Sequence, residues 1–412
     1  MRHALPERKL LVLLGALYFA QGLPFGLITR ALPAIARDAG VPLEYIGLLA
    51  LAALPWALKF IWAPWVDRLG HGYANHRKRW VTGCQIAAVV VLALMAQLPM
   101  AQLDISLFIG LLVLLFLLNL LFATHDIASD GLAVRLLTPA LRGVGNSLQT
   151  GGYKVGLLSG GALLLWLVES VGWSAALMVA MAVLLLLLIP VLRYPEPAQP
   201  ALQRPGSFGW RWWVRELWKF WNRPGMGWWL VLLLSYKVGD SFGSRMIKPF
   251  LVDQNWTLSR IAALDLGSSL AGLVAVAVAG LLLLRMSRRA ALVSFGLCQA
   301  AAFAGWVWVA QQPDAAAIWA LAIADQCADG LATVALFTVM MDHCRPCHEG
   351  SDYTLQASVM LMASGLFTLV SGVSAALFGY SVHFALAGML ALAAIIPAVF
   401  WGRMERGSDE RP

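Results

Sequence analysis

The chain has 412 residues, of which 60% are hydrophobic and only 13% charged, and its mean hydropathy is +0.73. Soluble globular proteins are about half apolar and a quarter charged, so this composition excludes a soluble enzyme. The net charge of +8 does not indicate nucleic-acid binding, because the basic residues lie in short loops between long apolar runs, as topology signals do. The sequence therefore predicts a polytopic membrane protein with no nucleic-acid partner.

Twelve apolar stretches of about 20 residues, the length that crosses a bilayer, follow one another along the chain, and we number them spans one to twelve. They begin near Leu10, Tyr45, Trp80, Ser106, Val144, Trp173, Gly227, Leu258, Ala290, Ala316, Tyr353 and Ser381. The first stretch is longer than a signal peptide and lacks a small-x-small cleavage site, which favours a retained helix. The predicted fold class is all-α, with twelve transmembrane helices in two six-helix halves.

The distribution of basic residues predicts the orientation of these helices. An even number of spans puts both termini on one side of the membrane. With the termini inside, the inner loops and tails carry 22 of the 30 Lys and Arg residues. The outer loops carry only five, which are Arg30, Arg37, Arg245, Lys248 and Arg260. Because Lys and Arg accumulate in cytoplasmic loops, both termini are predicted to be cytoplasmic.

The longest polar stretch divides the twelve spans into six and six. It starts with a Pro-rich piece between Pro195 and Pro205, which is typical of a linker. It continues with Arg211, Arg215 and Lys219 at four-residue spacing among tryptophans, which predicts an amphipathic helix in the inner membrane interface. The predicted organisation is an N-terminal half at 1–193, a cytoplasmic linker at 194–225 and a C-terminal half at 226–412.

The two halves share an internal echo. Asp126-Ile-Ala-Ser-Asp130-Gly-Leu-Ala133 in span four returns as Asp325-Gln-Cys-Ala-Asp329-Gly-Leu-Ala332 in span ten. Weaker echoes link span one with span seven, and span five with span eleven. Three echoes in register indicate a duplicated transporter of two parallel halves, which is the design of the major facilitator superfamily.

Nine ionisable side chains fall within spans, where each charged form costs about 2.5–3.5 kcal/mol at a helix centre. They are Lys59, Asp126, Asp130, Lys154, Lys237, Asp240, Asp265, Asp325 and Asp329. Such groups face a cavity, form pairs or stay neutral, and two acids one helical turn apart affect each other's protonation. We predict that Asp126, Asp130, Asp240, Asp325 and Asp329 couple transport to protons. The alternative is that the acids only neutralise lysines, and for Lys237 with Asp240 both interpretations stay open.

The loop between spans two and three carries Asp67-Arg68-x-Gly70, followed after an insertion by Arg77-Lys78-Arg79. This pattern resembles the facilitator-superfamily loop signature, whose acid and basic residues latch helix ends in one conformation. The resemblance implies a gating role for Lys59, Asp67 and Arg68.

Small residues recur at helical spacing in spans five and eight. Span five carries Gly152, Gly156 and Gly160, and span eight carries Ser268 and Gly272 in a similar row. Small residues let helices approach closely, and facilitator proteins pack these two helices across the interface between halves. The four glycines are therefore predicted to be helix-packing positions on which the halves rock.

A short cluster, His343-Cys344-Arg-Pro-Cys347-His348, contains the C-x-x-C-H pattern of haem attachment and resembles half of a zinc site. The predicted topology places it in a cytoplasmic loop, and no second half accompanies it. We therefore predict a reduced polar loop, without a metal site or cofactor. The sequence carries no Walker A motif and no catalytic set, so neither an ATPase subunit nor an enzyme is predicted.

Four motifs resemble the muropeptide-permease branch of the major facilitator superfamily. They are Lys59-Phe-Ile-Trp-Ala-Pro-x-x-Asp67-Arg68, Asp126-Ile-x-x-Asp130, Gly152-Tyr153-Lys154 and Tyr236-Lys237-Val-Gly-Asp240-x-Phe242. The resemblance implies secondary, proton-driven transport through the bacterial inner membrane.

Within that branch, the twelve-helix length and Gly350-Ser-Asp352-Tyr-Thr-Leu-Gln356-Ala look more like the ferric-siderophore permeases of the rhizobactin and pyochelin type. We therefore expect import of a siderophore from periplasm to cytoplasm, with iron present only in the chelated substrate. The alternatives are muropeptide import and a membrane sensor that retains the fold without transporting. The expected partners are the substrate, protons and the lipid bilayer, and the expected state is a monomer.

The substrate cavity is predicted from polar side chains in spans one, five and seven. The candidates are Tyr18, Gln21, Gln149, Tyr153, Lys154, Tyr236 and Lys237. In the resulting hypothesis, the halves rock about a central site, and protonation of Asp130, Asp240 or Asp329 permits inward movement.

Overall fold

The computed structural model describes residues 8–70, 72–100, 104–197 and 210–401, and every regular element within these ranges is helical. Ten of the described helices are long and apolar enough to cross a membrane. They are Arg8–Asp38, Glu44–Ile61, His76–Met95, Ile105–Leu136, Pro139–Val171, Trp173–Arg193, Leu258–Leu282, Arg288–Gln311, Ala315–Asp342 and Glu349–Trp401. The predicted all-α membrane fold is confirmed.

The remaining two predicted spans are accounted for by local breaks in the helices. Gly379, with φ 77° and ψ 165°, divides the long helical stretch Glu349–Ala393, in a conformation that glycine adopts readily. Span seven consists of four short consecutive helices, none of which is long enough to cross a membrane alone. They are Met226–Ser235, Val238–Gly243, Ser244–Met246 and Ile247–Asp253. All twelve predicted spans therefore correspond to helical segments.

Side-chain caps define several helix starts. The Asp104 carboxylate accepts a hydrogen bond from the backbone N–H of Leu107 at 2.8 Å, where the helix Ile105–Leu136 begins. This bond holds the pKa of Asp104 below its usual value. The Thr257 and Ser287 hydroxyls cap the starts of spans eight and nine in the same way. Each cap satisfies a backbone donor that the helix leaves unpaired.

The chain clusters into two compact units. The first comprises residues 1–204 and 343–358, and the second comprises 205–342 and 359–412. The core of the first unit is aliphatic and includes Leu27, Leu92 and Leu118. The core of the second unit is aromatic and includes Phe250, Phe303, Trp306 and Phe384. Residues 343–358, which the sequence assigns to the C-terminal half, belong to the first unit.

The predicted amphipathic helix in the linker forms at Trp210–Trp221, and it buries Trp212, Glu216 and Phe220 on one face. Residues 198–209 of the predicted linker, with Pro200 and Pro205, lie outside the described residues, as do 1–7 and 402–412 at the predicted cytoplasmic termini. The position of this helix in the membrane interface stays a prediction.

The glycine row of span five packs against span one within the first unit. A Cβ built on Gly156 would overlap the carbonyl oxygen of Phe19, and one built on Gly160 would overlap that of Leu23. Gly152 approaches Gly15 in the same way. In the second unit, a Cβ on Gly272 would lie 2.9 Å from the carbonyl oxygen of Gln326 in span ten. The packing role therefore has partners inside each unit, which corrects the predicted packing of these rows across the halves.

Gly160→Ala is expected to destabilise the protein by about 1–3 kcal/mol, because the added methyl group forces spans one and five apart. Gly15→Ala is the matched control, since a Cβ built on Gly15 would meet nothing within 4 Å and alanine favours a helix. Thermal unfolding in detergent measures both. Equal melting temperatures for the two variants would contradict the close approach at Gly160.

Candidate functional site

Lys59 and Asp126 form an ion pair in the interior of the first unit. Both residues are buried, with 6% and 5% of their surfaces exposed. Lys59 begins a tight helical segment at the end of span two, and its ammonium group lies 5.1 Å from the centre of the Trp56 ring. Because Asp126 is its partner, Lys59 joins the acid site of span four rather than the predicted gate.

The second acid of span four, Asp130, is held by neutral groups. Its Oδ1 accepts a hydrogen bond from the Tyr18 hydroxyl at 3.0 Å and another from Gln149 Nε2 at 3.0 Å. The Tyr353 hydroxyl in turn donates to Gln149 Oε1 at 3.2 Å. Side chains from spans one, four, five and eleven therefore meet at one buried carboxyl. No ion pair reaches Asp130 within the described ranges.

Gln21 extends this polar cluster along span one. Its Nε2 lies 3.4 Å from Nδ1 of His125, which is also 3.2 Å from the Ser129 hydroxyl. All three side chains are buried. The other cavity candidates of span five differ in setting: Tyr153 packs its ring against Phe25, and Lys154 beside it is half-buried.

Lys237 bridges two acids in the second unit. Its ammonium group lies 3.0 Å from Asp240 and 2.6 Å from Asp329, and the Thr333 hydroxyl also donates to Asp329. Span seven breaks immediately before Val238, so Lys237 stands at a junction between two short helices. Asp240, which the sequence placed beside Lys237, is therefore one of its partners, and Asp329 of span ten is a second partner that the sequence did not indicate.

Of the three acids Asp240, Asp325 and Asp329, Asp325 is the one that forms no ion pair within the described residues. The Ser244 hydroxyl donates to its Oδ2 at 3.4 Å. Both residues line a cavity of about 60 Å³, together with the ion pair between Lys248 and Asp265. Tyr236 has a different role from the predicted one, because its hydroxyl donates to the carbonyl of Leu292 at 2.7 Å in a buried contact. We therefore assign Tyr236 to helix packing rather than to the cavity.

The two units share one electrostatic arrangement. In each unit one acid of the Asp-x-x-x-Asp pair is bound to a lysine, namely Asp126 in the first and Asp329 in the second. The other acid, Asp130 or Asp325, is hydrogen-bonded by hydroxyl or amide groups. In the first unit the acid bound to lysine is the first of the two acids in the sequence, and in the second unit it is the second.

A second buried cluster, the Asp67 cluster, consists of Asp67, Arg77, Glu349, Gly350 and Ser351 of the first unit. The Asp67 carboxylate accepts hydrogen bonds from the backbone N–H groups of Gly350 and Ser351 at 3.3 and 2.6 Å, and from the Ser351 hydroxyl at 2.6 Å. Arg77 joins Asp67 at 3.1 Å to Glu349 at 2.6 Å. Two carboxylates and one guanidinium thus hold the start of the helix at Glu349.

The basic partner of Asp67 is Arg77, although sequence analysis assigned the gate to Asp67 with Arg68 and Lys59. Arg68 is half-buried next to Asp67. The insertion before Arg77 is taken up by turns in which Gly70, Gly72 and Asn75 have positive φ angles of 98°, 89° and 57°. These turns bring Arg77, at the start of span three, back to Asp67.

Three members of these clusters were not predicted from the sequence, namely Tyr353, Ser244 and Glu349. Tyr353 lies inside the Gly350 to Gln356 run, and Ser244 follows Asp240 by one helical turn. The helical spacing could have indicated Ser244, whereas the contacts of Tyr353 and Glu349 depend on long-range packing.

The His343 to His348 loop is held by ordinary protein contacts. The guanidinium group of Arg345 contacts both carboxylate oxygens of Asp352, at 2.7 and 2.8 Å. Burial raises the pKa of the neighbouring Cys344 thiol, which keeps it protonated and weakly reactive. Among the described residues, no group of three or more His, Cys, Asp or Glu side chains is placed to hold a metal ion. The cofactor-free state stays a prediction.

Residues 14–366 match the family model of the Major Facilitator Superfamily. The chain belongs to this superfamily. It is therefore a multi-pass membrane transporter of small molecules and not an enzyme, as the sequence predicts.

Two relatives of this transporter match almost its whole length. The anhydromuropeptide permease of Escherichia coli K12 is 27% identical over 96% of this chain and 78% of its own length. A putative transporter AmpG 4 of Rickettsia conorii is 24% identical over 91% of this chain and 92% of its own. The crystal structure of the human organic anion transporter MFSD10 superposes with a TM-score of 0.74 at 16% identity, over 96% of this chain and all of that one. The resemblance to the muropeptide-permease branch is confirmed, and neither named relative is described as a siderophore permease.

Proposed function

We propose that this transporter imports anhydromuropeptides from periplasm to cytoplasm by alternating access. The alignment with the E. coli anhydromuropeptide permease over 96% of the chain carries the proposal. This reverses the order of the two substrates given by the sequence motifs. The run from Gly350 to Gln356 had favoured a siderophore, but Ser351 binds Asp67 and Asp352 binds Arg345. These contacts give the run a role in holding the protein together that needs no particular substrate.

The polar clusters suit a substrate of this chemical kind. An anhydromuropeptide is an amino sugar joined to a short peptide, so it presents hydroxyl, amide and carboxylate groups. Tyr18, Gln21 and Gln149 bring hydroxyl and amide groups together around Asp130 and His125 in the first unit, and Lys237 forms a charged cluster with Asp240 and Asp329 in the second. Buried polar groups inside membrane helices mark substrate and ion pathways.

We propose that Asp130 and Asp325 are the principal proton-coupling groups. Each is buried among membrane helices and is held by neutral hydrogen-bond donors. Such a carboxyl gains or loses a proton without breaking an ion pair, whereas Asp126, Asp240 and Asp329 would first have to separate from lysine. Of the five acids predicted from the sequence to couple transport to protons, Asp130 and Asp325 therefore remain as the principal candidates.

Uptake into proteoliposomes tests the substrate. With an imposed inward proton gradient, we expect saturable uptake of radiolabelled anhydromuropeptide that a protonophore abolishes, and no uptake of an iron-loaded pyochelin-type siderophore. Empty liposomes are the control. Siderophore uptake without muropeptide uptake would overturn the proposal, and uptake of neither would favour the non-transporting sensor.

We propose that the Asp67 cluster is a gate from which residues 343–358 are released during transport. Asp67→Asn removes the charge that binds three donors and Arg77, and each charge-assisted hydrogen bond contributes about 1.5–3 kcal/mol. We expect the half-buried Cys344 thiol to react about 10–100-fold faster with a maleimide, because opening returns its pKa towards the ordinary value.

The measurement uses a chain in which Cys84, Cys298, Cys327 and Cys347 are replaced by serine. Asp104→Asn is the control, because Asp104 is an exposed helix cap elsewhere. An unchanged labelling rate in Asp67→Asn would contradict the gate.

We infer from the basic residues that both termini face the cytoplasm and that the chain resides in a bacterial inner membrane. Green fluorescent protein fused after Pro412 is then expected to fluoresce, and alkaline phosphatase fused at the same place is expected to be inactive. The opposite pair of results would reverse the orientation.

A further inference from the structure

We propose that an anionic phospholipid binds in a groove between the start of span one and the end of span six. The groove belongs entirely to the first unit and has a volume of about 530 Å³. Ligand pockets of proteins commonly measure about 300–1,000 Å³. Its lining includes Arg8, Lys9 and Arg193 at one end and Val12, Ile189 and Pro190 along its wall.

The charge of the groove favours an anion. Arg8, Lys9 and Arg193 are exposed, and none of them forms an ion pair within the part of the chain that the structure describes. Among the residues that the structure describes, no acidic side chain lines the groove. Three cations at one mouth attract a phosphate group, and basic pockets between transmembrane helices bind anionic lipid headgroups.

Two neighbouring basic residues, Lys78 and Arg135, differ from these three because they already have partners within the protein. Lys78 donates to the carbonyl oxygens of Leu192 and Tyr194 at 2.5 and 3.0 Å. Arg135 pairs with Glu196 at 3.6 Å. Lys78 thereby fixes the end of span six, which is one wall of the groove. Arg193 thus stands on a stretch of backbone that other contacts hold in place.

The apolar wall selects a lipid over a free anion. Val12 and Ile189 are 50% and 39% exposed, and they lie about one helical turn from the basic residues. A phospholipid places its phosphate at the membrane surface and its acyl chains beside apolar side chains. Inorganic phosphate would contact the three cations but would gain nothing from this wall.

Native mass spectrometry of the purified full chain in detergent tests the proposal with defined lipids. The probes are dioleoyl phosphatidylglycerol, dioleoyl phosphatidylcholine and inorganic phosphate. We expect retention of phosphatidylglycerol in preference to phosphatidylcholine, and no retained phosphate. Neutralising Arg8, Lys9 or Arg193 with glutamine is expected to weaken phosphatidylglycerol binding about fivefold each, and the triple variant about 100-fold.

The matched control carries Arg245→Gln, Arg260→Gln and Arg285→Gln, three exposed basic residues of the second unit that do not line the groove. It is expected to bind phosphatidylglycerol like the unmodified chain. A double variant, Arg8→Lys with Arg193→Lys, keeps the positive charge and should retain most of the phosphatidylglycerol binding. It keeps the proposal testable if the triple variant does not fold. Equal losses in the triple variant and its control would overturn the proposal, as would equal retention of the two lipids.

Discussion

Lys59→Met is expected to lower the free energy of unfolding by about 3–5 kcal/mol, because it leaves the Asp126 carboxylate buried without its cation. The double variant, Lys59→Met with Asp126→Leu, is expected to recover most of this loss, since it removes both charges together. Unfolding by a graded increase of sodium dodecyl sulfate in mixed micelles measures all the variants and gives their coupling energy.

Lys248→Met is the matched control for Lys59→Met. Lys248 also pairs with an aspartate, Asp265, but the two side chains are 60% and 37% exposed. Exposed ion pairs contribute about 0–1 kcal/mol, so this variant should remain close to the unmodified protein. If the two lysine variants lose the same stability, Lys59 and Asp126 are not a buried pair.

Asp130→Asn is expected to abolish the accumulation of substrate while leaving its equilibration across the membrane. One proton that moves down 100 mV supplies about 2.3 kcal/mol, which sustains a concentration ratio of about 50-fold. Asparagine keeps a hydrogen-bond acceptor for Tyr18 and Gln149 but cannot bind or release a proton there. The ratio of internal to external anhydromuropeptide in proteoliposomes should fall from about 50 towards one.

Asp265→Asn serves as the control for Asp130→Asn. Asp265 is also an acid of a transmembrane helix, but it is part-exposed and bound to Lys248. Its replacement should leave the accumulation ratio unchanged. Full accumulation by Asp130→Asn would remove Asp130 from the proton pathway and leave Asp325 as the remaining candidate.

The sequence predicted the helices and the acid pairs well because both depend on local spacing. Apolar runs of membrane-spanning length mark the spans, and two acids four residues apart share a helix face wherever the helix packs. The identity of each acid's partner depends on tertiary packing. Lys59 pairs with Asp126 across 67 positions of sequence, and no periodicity connects these residues.

Three other structural features could not be predicted from the sequence pattern, because they also depend on tertiary packing. They are the contact of Gly160, the partner of Asp67 and the role of Tyr236. The glycine row of span five indicated a close helix contact, but Gly160 packs against Leu23 of span one rather than across the two halves. The pairing of Asp67 with Arg77 depends on positive-φ turns that shorten the path through the insertion. Tyr236 was predicted to line the cavity because of its position in span seven, yet its hydroxyl donates a hydrogen bond to the backbone carbonyl of Leu292.

The identity of the substrate is the property of this transporter that short sequence motifs predict least well. The twelve-helix length and the Gly350 to Gln356 run pointed to a siderophore, whereas similarity along nearly the whole chain supports a muropeptide. A short run that has its own intramolecular partners carries little information about what the cavity binds.

The central claim, that substrate entry is coupled to proton entry through Asp130, is tested most directly by proton flux. Proteoliposomes that contain a pH-sensitive dye are given external anhydromuropeptide with no imposed gradient. We predict that the interior acidifies with the unmodified transporter and that its pH stays unchanged with Asp130→Asn. Uptake of labelled substrate by the unmodified transporter without any acidification would contradict it.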